Sequence, residues 1–167
     1  MKRIGLLSDT HGTVHSRTAE FFATCDEIWH AGDIGNETVV EKLEAMKPLR
    51  AVYGNIDGGK LRIDFPEYAV FEVEGLRVLI IHIGGYPGRY NPKARALIQK
   101  YHPGLFISGH SHILKVMPDK KHNLLHINPG AAGNSGFHKK ITLVRFNIEK
   151  GRVNNLDVLD IDRKKMI

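Results

Sequence analysis

His110 and His112 stand one residue apart in Gly109-His110-Ser111-His112, between a glycine and the apolar pair Ile113-Leu114. Upstream the same theme recurs in Ser8-Asp9-Thr10-His11-Gly12, Gly32-Asp33-Ile34-Gly35-Asn36 and Gly54-Asn55-Ile56-Asp57, and a lone His82 closes an apolar run. Imidazole and carboxylate together suit divalent ions such as Mn, Fe and Zn. Two such ions roughly 3.5–4 Å apart can clamp a phosphoryl group and activate a water. A shared carboxylate would hold the ions together and offset part of their repulsion. Asp-x-His puts two ligand types on one tight loop, and His-x-His can serve two ions in the same way. Each motif alone carries little weight, because Asp-x-His-Gly occurs widely and Gly-Asp is usually a turn. Their joint occurrence is what points to a two-metal centre.

The elements around these residues give the motifs their meaning. Arg3 to Ser8 reads as a short buried strand ending at Asp9, Glu27 to Ala31 as a second, and Leu49 to Tyr53 as a third. Helix-spaced apolar residues over Val14 to Thr24 (Val14, Phe21, Phe22) and over Glu37 to Met46 (Val39, Val40, Leu43, Met46) predict the connecting helices, with Pro48 stopping the second. Strand–helix–strand–helix–strand implies a parallel sheet. Tyr68 to Val73 and Leu76 to Ile81 predict a hairpin through Glu74-Gly75. His82 to Asn91 reads as a Gly/Pro/Tyr-rich loop. Asn91-Pro92 suits an N-cap followed by proline at the first helical position, with the helix running to about Tyr101. Leu105 to Ser108 is a strand that feeds the two histidines. Four further strands follow, at Ile113 to Met117, Leu124 to Ile127, Ile141 to Ile148 and Val153 to Asp160. Asp9, Asp33, Asn55, His82 and His110 each follow one predicted strand. In open α/β sheets ligands bind outside the carboxyl ends of strands, so five such endings predict one functional rim.

Composition narrows the class. With 167 residues, 42% hydrophobic and 25% charged, the chain reads as one domain over residues 1–167 with a sizeable core. No apolar run approaches the roughly 20 residues of a membrane span. Cys25 is the only cysteine, which excludes a disulfide framework and a thiolate metal site and fits a reducing, cytoplasmic setting. Ten histidines favour an imidazole/carboxylate site. The net charge of +6 leaves nucleic acid as a minor candidate partner, but no basic stripe supports it. Lys120-Lys121, Lys139-Lys140 and Arg163-Lys164-Lys165 read as solvated turns and ends.

The set Asp-x-His, Gly-Asp, Gly-Asn-x-Asp, His and Gly-His-x-His, in this order, resembles the calcineurin-like metallophosphoesterases, and the small size resembles their compact prokaryotic YfcE-like phosphodiesterase branch. The resemblance runs from Asp9 to about Asn128-Pro129-Gly130. It implies an α/β fold, a four-layer αββα sandwich of two facing mixed sheets flanked by helices. It implies that Asp9, His11 and His112 hold one ion, that Asn55, His82 and His110 hold the other, and that Asp33 bridges. Mn²⁺ is the expected ion, with Fe, Zn, Ni and Mg as alternatives. The implied reaction is hydrolysis of a small phosphate ester by in-line attack of a metal-bound hydroxide. Asp33, Asn55 and His82 would be catalytic and Asn55 would contact substrate; Arg89, read from its place in the loop after His82, is a candidate substrate contact with a solvated arginine as the alternative. A homodimer is compatible with the family.

Three positions depart from the family pattern. Larger relatives carry a proton-donating histidine directly after the metal-binding Asn, where this chain has Ile56. His82 is followed by Ile83 rather than glycine, and Ala131 follows Asn-Pro-Gly where serine is common. These changes leave open a protein-interaction scaffold on the same fold, as in a retromer subunit, and the positive charge balance leaves open a nuclease. Among the other histidines, His30 reads as a core or supporting residue and His15 as a surface residue. His102, His122 and His126 read as structural or solvated, and His138, beyond the Asn-Pro-Gly loop, reads sooner as a loop residue than as one that reaches the pocket. Tyr86 and Tyr90 read as loop packing.

Overall fold

Alternation with a period of two decides the architecture. On the first strand Ile4 and Leu6 enter one apolar cluster while Leu7 enters another. Val78 and Ile80 likewise part from Leu79 and Ile81, and Leu105 and Ile107 from Phe106. Strands that are apolar on both faces must be covered on both faces. The computed structural model describes residues 1–163; Lys164 and Lys165, expected to be solvated, lie outside the described residues. In chain order the elements are β1 (Lys2–Leu7), α1 (Thr18–Phe21), β2 (Glu27–His30), α2 (Glu37–Met46), β3 (Leu49–Ala51), α3 (Lys60–Asp64), β4 (Tyr68–Val73), β5 (Leu76–Ile81), β6 (Gly85–Tyr86), β7 (Arg89–Tyr90), α4 (Pro92–Tyr101), β8 (Leu105–Ile107), β9 (Leu114–Asp119), β10 (Leu124–Pro129), β11 (Lys140–Glu149) and β12 (Arg152–Asp162).

Two five-stranded mixed sheets, ordered β12-β11-β1-β2-β3 and β4-β5-β8-β10-β9, face each other. Ile4, Leu6, Trp29 and Phe146 of the first pack on Val78, Ile80, Leu105 and Ile127 of the second. Outside the first sheet, Phe22, Val39, Leu43 and Leu61 seat the helical segments on Leu7 and Ile28. Outside the second, Ala94, Leu97 and Ile98 of α4 cover Leu79 and Phe106. This is the four-layer αββα sandwich. Within it, β1, β2 and β3 run parallel, as do β5, β8 and β10, so each sheet presents three aligned carboxyl ends.

Capping explains which predicted bounds hold. α2 starts where the Asn36 side chain accepts from the Val39 N–H at 3.1 Å, and α4 where Asn91 accepts from Lys93 N–H at 3.1 Å. The expected helix over Val14 to Thr24 is only the single turn of α1. Its N-cap, Arg17, offers no side-chain acceptor. The chain is also pulled back early, because the Asp26 N–H donates to the Arg3 carbonyl at 2.7 Å. α3 is too short to show a period. The expected loop after His82 carries a small ladder, Gly85–Tyr86 against Arg89–Tyr90, closed by Pro87 and by Gly88 at φ 88°. β9 tolerates Pro118 because it is a sheet edge.

Gly5 exists for Phe22. A Cβ there would lie 2.7–2.9 Å from three atoms of the Phe22 ring. Gly5→Ala is expected to cost about 1–3 kcal/mol in urea denaturation, and adding Phe22→Leu should recover part of that loss. A Gly5→Ala protein as stable as the wild type would contradict this packing.

Candidate metal centre

The strand ends deliver their polar residues in an uncommon backbone state. Asp9, His11, Asp33, His110 and His112 have φ of 53°, 46°, 57°, 71° and 62°, and so account for five of the ten non-glycine residues with positive φ among those described. Each such residue costs of order 1–3 kcal/mol unless its surroundings impose it. The imposition is visible in neighbouring loops that run side by side. The N–H groups of Asp9, His11 and Gly12 donate to the carbonyls of Gly32, Asp33 and Ile34 at 2.9, 3.0 and 2.9 Å, and Gly109 N–H donates to the His82 carbonyl at 2.9 Å.

Two buried carboxylates face each other across this junction, each half satisfied. Asp9 Oδ2 accepts from the Ser8 hydroxyl at 2.6 Å and from His110 N–H at 3.1 Å, while Oδ1 is buried with no hydrogen-bond partner. Asp33 Oδ1 accepts from Ile56 N–H at 3.1 Å, leaving Oδ2 3.4 Å from His11 Nε2 and 3.2 Å from His82 Nε2. Burial pushes both carboxyls up, yet both lie below the ordinary carboxylate value. His112, the charge on His82 and the Ser8 hydroxyl hold Asp9 down; His82 and the Ile56 N–H hold Asp33 down. Burial pushes the His82 imidazole down, but Asp33 and Asp9 outweigh it and leave it raised.

The imidazoles complete two groups. Asp9, His11 and His112 present donor atoms all within 4.8 Å of one another, and so do Asp33, His82 and His110. His82 Nδ1 donates to the Ala31 carbonyl at 2.8 Å, which turns Nε2 toward Asp33. His82 Nε2, His11 Nε2 and Asp9 Oδ1 are all buried without a hydrogen-bond partner. Unpaired buried polar atoms are costly, and three that converge beside two carboxylates mark a place that a cation would fill. Asn55 Oδ1 stands 3.1 Å from His110 Nδ1, close to the separation of two donors on one ion with metal–ligand bonds near about 2.1 Å. All seven sequence-predicted ligand positions therefore meet at one place, Asp33 lying within reach of both groups.

Residues outside the predicted ligand set hold this arrangement, His30 among them as expected. Asp57, 3% exposed, accepts from Ile34, Gly35 and Gly54 N–H at 3.1, 2.9 and 2.8 Å, tying the Asp33 loop to the Asn55 loop. Its signal was the last position of Gly-Asn-x-Asp. Gly54 permits the close approach, because a Cβ there would sit 2.1 Å from Asp33 Oδ1. His30 is fully buried; its Nδ1 accepts from Gly32 N–H at 3.0 Å and its Nε2 donates to Thr10 Oγ1 at 2.9 Å, which donates on to the Ile34 carbonyl at 2.8 Å. Asn128 donates to the Gly109 carbonyl at 3.0 Å and the Ser111 hydroxyl at 3.1 Å. Ala131 lacks the expected hydroxyl, but Thr142 supplies one to the Pro129 carbonyl. His138 reaches the centre, its Nδ1 lying 3.1 Å from His112 Nδ1.

Two cavities flank the junction. One of about 330 Å³ is lined by Tyr53, Asn55, Arg62, His82 and Lys93; the other, about 320 Å³, by Tyr86, Arg89, His110, Ser111 and Lys115. Ile83 lines both. Arg89 thus shares a cavity with His110. Tyr86 carries Lys115 Nζ 3.9 Å above its ring, and Tyr90 donates to Asp119 at 2.6 Å. His15 Nδ1 accepts from Arg17 N–H at 3.1 Å, a local turn contact. Arg163, expected to be solvated, donates instead to the carbonyls of Gly136 and His138 at 2.6 and 2.9 Å.

Two facing mixed sheets thus gather Asp, His and Asn at their adjacent carboxyl ends into a set able to hold divalent ions. Residues 1–151 match the calcineurin-like phosphoesterase superfamily domain, and the chain belongs to that family. It is 31% identical over 137 residues to a probable metallophosphoesterase of Methanothermobacter thermautotrophicus, covering 77% of this chain and 76% of the relative. Its fold is similar to that of an archaeal phosphodiesterase (TM-score 0.72, 22% identity, 94% of this chain and 99% of the other). Its fold is also similar to that of Vps29 of Entamoeba histolytica in complex with zinc (TM-score 0.75, 14% identity, 96% of this chain and 99% of the other).

Two expectations follow. Asp57→Ala removes an acceptor from three N–H groups, two of them buried, and should lower the stability of the metal-free protein by about 2–4 kcal/mol in urea; a loss below about 1 kcal/mol would deny it the clamping role. The second concerns acid. Burial pushes His30 and His126 from 6.5 down to about 4. The unfolded chain takes up these protons as pH falls through 6.5, whereas the folded protein resists until about 4. Stability of the metal-free protein should fall across that window, by on the order of 3 kcal/mol per imidazole. Asp9 and Asp33 are depressed from 3.8, so their contributions persist above that pH and are lost below it; that of His82, whose pKa is raised, is complete below 6.5. Denaturation midpoints that stay flat from pH 6.5 to 4 would refute the assignment.

Proposed function

We propose that the protein hydrolyses a small phosphate ester, a diester in the first instance, at a dinuclear divalent centre formed by Asp9, His11, Asp33, Asn55, His82, His110 and His112. The reading rests above all on the two half-satisfied carboxylates, Asp9 and Asp33, facing bare imidazole nitrogens in a buried setting. The mixed imidazole, carboxylate and amide set suits Mn²⁺, with Fe and Zn as close alternatives. Bound divalent ions supply charge for the phosphoryl oxygens and lower the pKa of a water.

The chain's own groups do the rest. Asp33 sits between the two imidazole groups, so its carboxylate fixes their separation. Asn55, with its oxygen turned to the ions, keeps its amide N–H for a phosphoryl oxygen. His82, locked by its donation to Ala31, offers one nitrogen in one direction. Arg89 clamps a phosphoryl oxygen from the second cavity. Cavities on both sides of Ile83 leave room for the two substituents of a diester. Ile56 donates no proton from its side chain, so substrates with good leaving groups are favoured; general acid help is worth ~10²–10⁴-fold. We place this activity in a single domain over residues 1–167, in the cytoplasm, acting alone or as a homodimer. No helix among the described residues is long and apolar enough to cross a membrane.

An interaction role is the second reading. It is favoured by exposed Ile113, Val116 and Met117 at the β9 edge, and by the fold likeness to Vps29.

Purified protein is expected to hydrolyse bis(p-nitrophenyl) phosphate with Mn²⁺ and to stop when the ion is removed. Asp33→Ala should lower the rate by more than about 10²-fold with an unchanged far-ultraviolet circular dichroism spectrum. No turnover with any divalent ion, together with no metal by elemental analysis, would sink the proposal.

A further inference from the structure

Hydrogen-bond direction around His138 carries an inference of its own. His138 Nε2 stands 2.7 Å from the Gly133 carbonyl. A carbonyl only accepts, so this nitrogen bears the hydrogen, and Nδ1 of the neutral ring is an acceptor. That Nδ1 lies 3.1 Å from Nδ1 of His112. The hydrogen between the two atoms must then belong to His112 Nδ1, so Nε2, which faces Asp9, is the ring nitrogen left to serve an ion. His112 Nε2 is 3.2 Å from Asp9 Oδ1, inside the group formed with His11. A free imidazole side chain prefers its hydrogen on Nε2, which is the wrong tautomer for a ligand facing this way.

The supporting loop is built to hold His138 there. Gly133 N–H donates to the Asp9 carbonyl at 3.1 Å, so the residue that orients His138 is itself tied to the Asp9 loop. The Arg163 guanidinium grips the carbonyls of Gly136 and His138 from the other side. At Gly136 a Cβ would lie 2.6 Å from His112 Nδ1 and 3.2 Å from His138 Nδ1, so only glycine lets the loop close over the pair. The two rings meet edge to face, their centroids 5.0 Å apart and their planes at 76°.

We propose that His138 is a positioning residue that sets the tautomer of His112, turning the bare Nε2 toward the Asp9–His11 group and so raising its affinity for a divalent ion. The inference rests on the dinuclear reading above. It adds a residue that none of the ligand motifs contains. Partners of this kind typically contribute 10–100-fold to metal affinity.

The test reads the tautomer directly, by two-bond proton–nitrogen correlation in the metal-free full chain, and reads affinity by titration with Mn²⁺ and Zn²⁺. Wild-type His112 should carry its hydrogen on Nδ1. His138→Gln keeps an amide at the Nε2 end, facing Gly133, but has no acceptor at Nδ1. It should shift His112 toward the Nε2–H form and weaken one of two bound ions roughly 10–100-fold. His138→Asn places its oxygen where Nδ1 stood and should restore both readouts. An unchanged tautomer or an unchanged affinity in His138→Gln overturns the proposal. So does a pattern in which His138→Asn loses both readouts as His138→Gln does, because that would mark a loop-folding role alone. If wild-type protein binds neither ion, the dinuclear reading fails, while the metal-free tautomer still decides the part played by His138.

Discussion

Asp9 and Asp33 must be buried side by side while each keeps one oxygen unspent, and most of the centre's local geometry answers to that demand. Burying a single carboxylate is expensive without partners. Here the partners are split by oxygen. Ser8 and His110 N–H take one oxygen of Asp9, and Ile56 N–H takes one of Asp33. The other oxygens look into a space bounded by imidazole nitrogens that have nothing else to bind. Protein hydrogen bonds thereby fix where each carboxylate points without neutralising it. The left-handed backbone at five candidate ligands is the cost of aiming side chains inward from loops that turn sharply away from their strands.

Two parallel trios of strands make such a junction available. Within each trio the strands end on the same side, and facing sheets bring both sets of ends together. The loops that leave these ends then bond to one another rather than to water. The Asp9 loop lies against the Asp33 loop, the Gly109 turn against His82, and Ala132 N–H reaches the Ser8 carbonyl at 2.8 Å. Asp57 joins the third loop of the first sheet to the second through three N–H groups. Close backbone approach without side-chain interference explains why glycine stands next to so many of the polar residues. At Gly32, for example, a Cβ would fall 2.6 Å from His82 Nδ1.

What was legible in the sequence follows from how local each signal is. α2, α4 and the β4–β5 hairpin could be bounded because caps and two-residue alternation are written within a few positions of the element itself. α1 misled because Phe21 and Phe22 have helical spacing with Val14, although both are buried by the sheet rather than by a long helix. The seven candidate ligands were readable because motif and strand end coincide. Asp57 sat inside a motif but showed only the local Gly54 N–H as a partner, since the Ile34 and Gly35 N–H groups are brought near by the parallel pairing of β2 and β3. Thr142 and Arg163 gave no signal at all. Their partners at Pro129, Gly136 and His138 become neighbours through the return of β11 and β12. Tertiary hydrogen bonds of this sort leave no period and no motif.

The Ile56 position shows how the same loop can serve two separable ends. Its backbone N–H holds Asp33 Oδ1, a contact indifferent to the side chain. The carboxylate geometry can therefore persist whether residue 56 is a histidine or an isoleucine, and loss of a proton donor there need not disturb the ligand set. The side chain itself is 48% exposed, and Ile83, 38% exposed, stands between the two cavities. Ile83 gives each cavity one apolar wall among basic residues, Arg62 and Lys93 on one side and Arg89 and Lys115 on the other. On the proposed reading, the Ile56 side chain therefore bears on which leaving group can depart, while the backbone contact that orients Asp33 is untouched by it.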